Sequence, residues 1–490
     1  MLKVRELADT PKLAVLAITL ALGSVLILIV RRFGVPVAFL SLLLIPLFVF
    51  ILPTALRQAI GLISALRARL AWWHALWLLI FLSEQTFRIR SSEAIKEAPM
   101  DTLAAYRVAL VGIVAFVLGV RLVLRRTAWV GSLFRGLPGV LSAYALICVA
   151  STAWSAYPAW TLYKSLEYGV DVALVAAIVA TVASAEVYRT LFDWTWGLYI
   201  LLLFSVWVGV LVWPTEALQP SAGLIRTQLY GVVPAIAAVG ELAAVLATVA
   251  LARLLSRCGD ERNGAFYLFL LLSSLVTLVL SQERSAIAGL LLGVALLLLF
   301  TRHVALLVSA IAASLAVLAS NAGGLLGEYF RRGQSPELFA SLSGRVGWWE
   351  FAWQEFLKNP LTGLGAYTAR FEVLAKVGES DTSTMHNTFV EVVVGTSFWG
   401  LVPVLVVLFA TWWVLIRCLR NYPRSSPERE MALEAVGVLA VVSVRSVFTT
   451  HLILHTSLSF LLIVGCAELL RRQWNQRRPT GVRIPTVIRR

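Results

Sequence analysis

The chain has 490 residues, of which 59% are hydrophobic and only 14% are charged. Soluble globular proteins carry about 25% charged residues, so this composition excludes an ordinary soluble protein and indicates a polytopic membrane protein. Because a transmembrane helix needs about 20 apolar residues, the apolar content is enough for about fourteen spans and leaves little for a separate soluble domain.

Uninterrupted apolar runs predict the membrane helices in chain order. They lie near residues 13–30, 35–52, 71–87, 103–120, 138–153, 169–184, 194–213, 232–252, 265–281, 284–301, 303–320, 397–416, 431–450 and 452–470. These runs predict an all-α polytopic membrane protein with about 12–14 transmembrane helices. Fourteen is the count that we expect.

The net charge of +15 is distributed unevenly between the predicted loops. With a cytoplasmic N-terminus, more than half of the 42 Lys and Arg residues lie on the cytoplasmic side, seven of them in the tail after residue 470. This bias follows the positive-inside rule and predicts that both termini are cytoplasmic. Because no aromatic and basic recognition module accompanies the charge, we expect the tail to contact anionic membrane lipids and no nucleic acid.

One predicted outer loop, residues 321–388, is much longer than the others. It separates N-terminal membrane helices (1–137) and a membrane core (138–320) from C-terminal membrane helices with a basic cytoplasmic tail (389–490). Within the loop, an apolar stripe rich in Trp and Phe predicts an amphipathic helix at the membrane interface, with Ser343 as its N-cap and an end at Asn359.

Three arginines and one histidine are predicted to lie at a similar depth on the outer side. Arg226 lies in the loop 214–231, and Arg284 begins an apolar span. Arg345 begins the loop helix, and His386 lies where the chain re-enters the bilayer. Guanidinium groups bind phosphate through their planar fork, and a histidine exchanges a proton near neutral pH. Together these residues predict a site for a phosphorylated lipid at the outer leaflet.

Each of these residues also has a purely structural interpretation. Arg226 could be a snorkelling anchor, and Arg284 could pair with the neighbouring Glu283. Arg345 could balance charge on an exposed helix, and His386 could be no more than a polar residue at a helix start.

Other titratable and metal-ligating residues give weaker predictions. Arg445, His451 and His455 lie near the outer end of the last two predicted spans and could line the same cavity. The four cysteines match no disulfide framework or zinc pattern. We therefore predict neither a metal site nor a cofactor.

Four segments resemble the bacterial O-antigen ligase and O-antigen polymerase family of membrane glycosyltransferases. They are WSAYPAWTLYKSLEY from Trp154, the outer arginines Arg226 in IRTQLYG and Arg284 in SQERSA, the loop helix SGRVGWWEFAWQEFLKNPLTGLG, and the His-Asn segment HNTFVEVVVGTSFWG. The segments follow one another in the family's order on the same predicted side of the membrane. In the last segment Ser397 stands where the family has its first glycine, and only Gly400 matches the second.

The resemblance implies a GT-C-like fold and a glycan transfer at the periplasmic face of the bacterial inner membrane. The donor would be a glycan on undecaprenyl diphosphate, with neither a metal nor a nucleotide sugar. With lipid A core as acceptor the protein would be a ligase of lipopolysaccharide biosynthesis, and with another carrier-linked glycan it would be a polysaccharide polymerase; the sequence leaves both open. The implied site residues are His386 as catalytic base for inverting attack, Arg226, Arg284 and Arg345 as diphosphate ligands, and Asn387 as a supporting residue that orients the histidine.

The strongest alternative is a transporter, such as a flippase for lipid-linked glycans. Transporters often show internal repeats and ionisable residues near the bilayer midplane. The chain shows no repeat, and its polar residues gather at the outer interface beside one large loop, which favours an enzyme. A peptidoglycan polymerase using the same carrier lipid is disfavoured by the His-Asn pair, and a structural membrane scaffold is the remaining alternative.

Overall fold

A computed structural model describes residues 35–85, 97, 101–125, 129–232, 239–256, 263–379, 382, 384–455 and 457–477. The predicted span near 13–30 and the tail arginines beyond residue 477 lie outside these residues.

Helices make up nearly all of the described chain. They are α1 (Val35–Arg67), α2 (Trp72–Glu84), α3 (Thr102–Arg125), α4 (Trp129–Leu133), α5 (Gly136–Ala150), α6 (Pro158–Thr181), α7 (Ala185–Val212), α8 (Pro214–Ala217), α9 (Val239–Leu255), α10 (Gly264–Ser281), α11 (Arg284–Thr301), α12 (Val304–Ala319), α13 (Ala322–Arg331), α14 (Pro336–Ala340), α15 (Arg345–Lys358), α16 (Ala369–Glu372), α17 (Thr388–Asn421), α18 (Pro427–Phe448) and α19 (Leu458–Arg477). Short 3-10 turns occur at Ser151–Ala153 and Leu374–Val377. A single antiparallel pair in the described residues joins β1 (Leu218–Pro220) to β2 (Thr227–Leu229).

Seven of the described helices are long and apolar enough to cross a membrane, namely α3, α5 with its 3-10 extension, α7, α10, α11, α17 and α18. Two sharply bent pairs, α1 with α2 and α12 with α13, raise the number to nine if each pair is one span. The predicted runs near 169–184, 232–252 and 452–470 are also helical, as α6, α9 and α19, but they are too short or too charged to count among these. The prediction of an all-α polytopic membrane protein is confirmed.

Helix α18 lies at the centre of the bundle, with most of its residues buried. Lipid tails are as apolar as helix side chains, so close backbone approach rather than a hydrophobic driving force holds membrane helices together. Here glycines allow that approach: a Cβ at Gly289 of α11 would lie 2.9 Å from the Val441 Cα, and one at Gly293 would lie 3.0 Å from the Gly437 carbonyl oxygen. Helices α11 and α18 are thus packed backbone to backbone.

Helix α17 is broken near its start. Ser397 has φ 57° and ψ −158°, a conformation that favours glycine, and the break leaves the carbonyl groups of Val394 and Gly395 without their usual helical donors. The Leu364 N–H donates to the Val394 carbonyl at 2.8 Å, and the Gly365 N–H donates to the Gly395 carbonyl at 2.9 Å. The large loop is therefore attached to a membrane helix by backbone hydrogen bonds.

The aromatic segment after α5 holds the other side of the same loop. The Trp154 indole N–H donates to the Thr362 carbonyl at 3.1 Å, and the Trp160 indole N–H donates to the Tyr367 carbonyl at 3.1 Å. Gly365 lies between these contacts with φ 103°, and a Cβ there would lie 2.6 Å from a neighbouring side-chain carbon. The segment predicted as an interfacial belt thus also docks the loop.

We expect Ser397→Gly to be tolerated and Ser397→Ala to lower the unfolding temperature. Both variants lose the hydrogen bond that Ser397 Oγ donates to the Pro360 carbonyl at 2.5 Å. Only glycine adopts this backbone conformation freely, whereas other residues are strained by about 1–3 kcal/mol. Thermal unfolding of both variants and the wild type in one detergent measures the difference. Equal unfolding temperatures for the two variants would contradict the strain.

The loop helix α15 begins at Arg345 and ends at its C-cap Asn359, as predicted. Its N-cap is Gly344, with φ 87°, and the prediction of Ser343 as N-cap is wrong. The reason is that Ser343 itself has φ 64°, whereas an N-cap residue is normally extended. Its hydroxyl instead accepts a hydrogen bond from Gln334 Nε2 at 3.0 Å.

Candidate active site

Six chain segments meet at one end of the bundle, called the active-site end below. They are the β1–β2 loop, the start of α11, the turn after α13, the start of α15, the residues before α17 and the end of α18. The large loop supplies three of the six, and its hydrogen bonds to α17 hold them against the membrane helices.

His386 directly precedes α17 and has φ 51°, an uncommon backbone conformation for a residue other than glycine. Its Nδ1 atom is buried and has no hydrogen-bond partner among the described residues, and its ring lies near Trp348 with the ring centroids 6.1 Å apart. Burial, together with the nearby charges of Arg345 and Arg445, lowers the pKa of His386 to about 3. The imidazole is therefore neutral at physiological pH, as a general base must be.

Asn387 caps α17. Its side-chain oxygen accepts hydrogen bonds from the Phe389 N–H at 2.9 Å and the Val390 N–H at 3.1 Å. These bonds fix the first turn of the helix and thereby the backbone next to His386. The role expected for Asn387, orienting the histidine ring, stays a prediction.

Arg345 is the first residue of α15 and joins the large loop to the end of α18. Its Nη1 donates to the Phe448 carbonyl at 2.9 Å. Burial, followed by the charges of Arg445 and Arg332, lowers the pKa of Arg345 to about 10. The guanidinium group remains a cation at neutral pH. Because burial and neighbouring cations disfavour its charge, a bound anionic ligand would stabilise it.

Arg284 begins α11 and is hydrogen-bonded to the turn after α13. Its Nη2 donates to Gln334 Oε1 at 2.7 Å and to the Arg331 carbonyl at 3.1 Å, while its buried Nε has no partner in the described part of the chain. Gln334 in turn donates to the hydroxyl of Ser343, two residues before Arg345. A short hydrogen-bonded chain therefore connects the two predicted arginines.

Arg445, which the sequence offered only as a possible cavity residue, is buried at the centre of this end. It forms ion pairs of 2.5 Å with both Glu241 and Glu283. The Glu241 carboxylate also lies 2.8 Å from His451 Nε2. Because Glu283 is paired with Arg445, the alternative in which Glu283 neutralises Arg284 is wrong.

His455 belongs to a different buried network. Its Nδ1 lies 2.7 Å from Asp171 Oδ2, and its Nε2 lies 2.6 Å from Ser83 Oγ. The Ser83 hydroxyl donates to the Ile80 carbonyl, so it accepts from the histidine. Both ring nitrogens of His455 are therefore occupied by hydrogen bonds within this network.

Arg332 is a site residue that the sequence analysis missed. It follows α13 with φ 53°, is half-buried, and has a buried Nε to which no described residue is hydrogen-bonded. Burial lowers its pKa, and its charge contributes to lowering that of Arg345. The only sequence signal was the pair of adjacent arginines 331 and 332, which is common in solvated loops.

Arg226 lies in the loop between β1 and β2, with its side chain exposed. The Gln282 side chain donates to the carbonyl groups on either side of it, at 3.4 and 3.2 Å, which ties the loop to the turn before Arg284. The same loop touches the turn after α13, since a Cβ at Gly223 would lie 2.8 Å from the Arg332 Cα. The structure thus brings Arg226 to the active-site end, at its rim.

The charges at this end are suited to an anion. Among the residues that the structure describes, Arg284, Arg332 and Arg345 form no ion pair with a carboxylate, whereas Arg445 is paired with two. Three cations without a direct ion pair in the described residues, on a half-buried surface beside a neutral imidazole, can bind a ligand with several negative charges. The described residues contain no group of three or more His, Cys, Asp or Glu side chains that could hold a metal ion.

Comparison with known families agrees with this geometry. Residues 268–405 match the family model described as O-antigen ligase, over less than a third of the chain. The matched segment contains most of the site, namely Arg284, Arg332, Arg345, His386 and Asn387. Among curated proteins, none matches the chain. The family match confirms the predicted resemblance to O-antigen ligases and polymerases, a family of membrane glycosyltransferases.

Proposed function

We propose that this chain, whose residues 268–405 match the O-antigen ligase family, transfers a glycan from undecaprenyl diphosphate to an acceptor hydroxyl. The observation that carries the proposal is the neutral imidazole of His386 beside Arg345, in a group of three arginines that form no ion pair with a carboxylate of the described residues. The distribution of cations along the sequence supports an active site on the periplasmic face of the bacterial inner membrane, with both termini in the cytoplasm.

In the proposed reaction the acceptor hydroxyl attacks the anomeric carbon with inversion. The bond between that carbon and the diphosphate oxygen breaks, and its electron pair leaves with the lipid diphosphate. The hydroxyl proton moves to His386, a step that general bases typically accelerate by about 10²- to 10⁴-fold. The diphosphate is already a good leaving group, so the proposed reaction uses neither a metal nor a nucleotide sugar.

The arginines stabilise the charge that develops on the leaving diphosphate. Arg284 and Arg345 donate paired hydrogen bonds to phosphate oxygens, and Arg332 adds a third guanidinium group. Arg226, exposed at the rim, meets the diphosphate as the donor enters. Because Arg345 links the large loop to α18, it also keeps the loop closed over the reacting groups.

The acceptor determines whether the enzyme is a ligase or a polymerase. Purified protein would be given the lipid-linked donor with either lipid A core or a second carrier-linked glycan. Transfer to lipid A core identifies a ligase, and elongation of the carrier-linked glycan identifies a polymerase. Reconstituted protein that moves the donor across a bilayer without forming either product would be a transporter, which would overturn the proposal.

We expect Arg284→Lys to lower the transfer rate by about tenfold or more. Lysine keeps the positive charge but loses the planar fork, and with it one charge-assisted hydrogen bond to phosphate. The assay is product formation by purified enzyme with saturating acceptor. Arg331→Lys is the matched control, since its exposed side chain bonds only within α13, and it should retain wild-type activity. An unimpaired Arg284→Lys enzyme would argue against bidentate phosphate binding.

A further inference from the structure

A cavity of about 240 Å³ lies at the end of the bundle opposite the candidate active site. It is lined by Gly131, Ser132, Arg135, Glu468, Arg471 and Arg472. Helix α5 begins here and reaches the large loop at its other end, where the Ala366 N–H donates to the Ser151 hydroxyl at 3.0 Å. The cavity is therefore separated from the active-site end by the length of a membrane helix.

Glu468 is the single carboxylate of this cavity, and its hydrogen-bonding capacity is already used. Arg471 donates to it through Nε and Nη2 at 2.8 and 2.7 Å, and Arg472 donates through Nε at 2.8 Å. The Leu137 N–H adds a fourth hydrogen bond at 3.1 Å. Three arginines against one glutamate leave two positive charges in the lining without a counter-ion.

Among the described residues, the guanidinium nitrogens without a hydrogen bond are those of Arg135 and Nη1 of Arg471. All three nitrogens of Arg472 already donate, Nε to Glu468, Nη2 to the Ser132 hydroxyl at 3.1 Å and Nη1 to the Val179 carbonyl at 3.4 Å. Arg135 is exposed, and its side chain forms no ion pair or hydrogen bond with the residues described in the structure. Two guanidinium groups with free N–H donors around a small cavity match the geometry of phosphate recognition.

The position of the cavity along the bundle indicates where such a phosphate would come from. The candidate span of α5 begins at Gly136, so Arg135 lies just outside the apolar part of the helix, at its N-terminal boundary. Phe134 beside it is 71% exposed and offers an apolar surface at the same depth. Basic pockets between membrane helices at headgroup depth bind anionic lipids.

We propose that this cavity binds an anionic phosphate group, carried by a membrane phospholipid or free in solution, through Arg135 and Arg471. Arg472 and Glu468 hold the binding surface in place and make no further bonds to the ligand. The site is independent of glycan transfer, and its function is to fix the ends of α5 and α19 to each other across the bound phosphate.

The test uses the full chain in nanodiscs of phosphatidylcholine alone or mixed with phosphatidylglycerol, and follows the unfolding temperature and the lipid retained in native mass spectrometry. Phosphatidylglycerol should raise the unfolding temperature of the wild type, and Arg135→Gln should weaken its retention by about tenfold. Arg420→Gln is the matched control, because it removes one exposed arginine at the same end of the bundle outside the cavity.

A second arm separates the two sources of phosphate. Inorganic phosphate is added to the protein in nanodiscs of phosphatidylcholine alone. If inorganic phosphate stabilises the protein and the effect depends on Arg135, the ligand is a soluble phosphate. If only phosphatidylglycerol stabilises it, the ligand is a lipid. Arg135 has no side-chain partner among the residues that the structure describes, so Arg135→Gln should unfold at the wild-type temperature in phosphatidylcholine. Arg135→Lys, which keeps the charge without the fork, should bind with intermediate strength. The proposal is overturned if neither ligand distinguishes Arg135→Gln from Arg420→Gln.

Discussion

Replacing His386 with alanine is expected to lower the rate of glycan transfer by about 10²- to 10⁴-fold, the range typical of a lost general base. The imidazole is neutral, its Nδ1 has no hydrogen-bond partner among the described residues, and it lies near Arg345, one of the proposed diphosphate ligands. Purified enzyme with lipid-linked donor and acceptor measures the rate. When the His386→Ala protein is expressed in a strain that lacks the native protein, the same loss of transfer should appear as a loss of surface glycan.

His303→Ala is the matched control for this experiment. His303 is exposed at the far end of α11, away from the candidate active site, so its loss should leave transfer unchanged. If His386→Ala, present in the membrane at the wild-type level, still attached glycan at the wild-type rate, the assignment of the base would fail.

The pH dependence gives an independent check on His386. With its pKa lowered to about 3, the free enzyme keeps a neutral imidazole throughout the range from pH 8 to about 5. An unperturbed histidine with a pKa of about 6.5 would be largely protonated at the lower end of that range. We therefore expect kcat/KM, which reports the free enzyme, to show no histidine-dependent fall in this interval. A fall centred near pH 6.5 that disappears in a histidine variant would contradict the burial of His386.

Replacing Arg445 with glutamine is expected to destabilise the protein by about 3–5 kcal/mol, the usual cost of breaking a buried ion pair by removing one partner. The substitution leaves Glu283 and Glu241 at the active-site end without the guanidinium group that pairs with both, and only Glu241 keeps another contact, with His451. It should also abolish transfer, because Arg345 and the end of α18 would lose their support. Thermal unfolding of purified protein measures the first effect.

A further variant tests whether the loss of stability in Arg445→Gln comes from the unpaired acids or from a general disturbance of α18. Adding Glu241→Gln and Glu283→Gln to the Arg445→Gln protein removes the unpaired charges and should recover much of the lost stability. Arg302→Gln, at an exposed position at the far end of α11, should unfold like the wild type. An Arg445→Gln protein as stable as the wild type would show that the two ion pairs contribute nothing to the fold.

The sequence was sufficient to predict an all-α polytopic membrane protein, although the described residues contain seven to nine helices fit to cross a membrane and the expected count was fourteen. The roles of the predicted site residues stay predictions. The apolar runs predicted the ends of α11 and α12 to within one residue. A helix surrounded by lipid is recognisable from its apolar composition alone. The ion pairs between helices were not predictable, because they depend on tertiary packing. Arg445 and Glu283, for example, are 162 positions apart in the sequence. The sequence therefore suggested that Glu283 pairs with its neighbour Arg284, and the structure pairs it with Arg445 instead.

Backbone conformation was the other source of error. The capping pattern at the start of α15 favoured Ser343, but left-handed backbone at both Ser343 and Gly344 moves the cap by one residue. Ser397 illustrates the opposite case. The resemblance identified it as a departure from a glycine in the family, and the structure supplies the reason for a glycine, since φ is 57° at that position.

The ion pairs of Arg445 also constrain how the protein is made. Arg445 follows Glu283 by 162 positions, so at about 5–20 residues per second the acidic residue is synthesised on the order of ten seconds before its counter-ion. During that interval neither Glu241 nor Glu283 can settle into the apolar interior as an unpaired ion. Insertion of α18 consequently supplies the counter-ion of both acidic residues late in synthesis, when only α19 is still to be added to the described bundle. A nascent chain that stops before α18 would lack Arg445 and could bury neither acid as an ion pair with it.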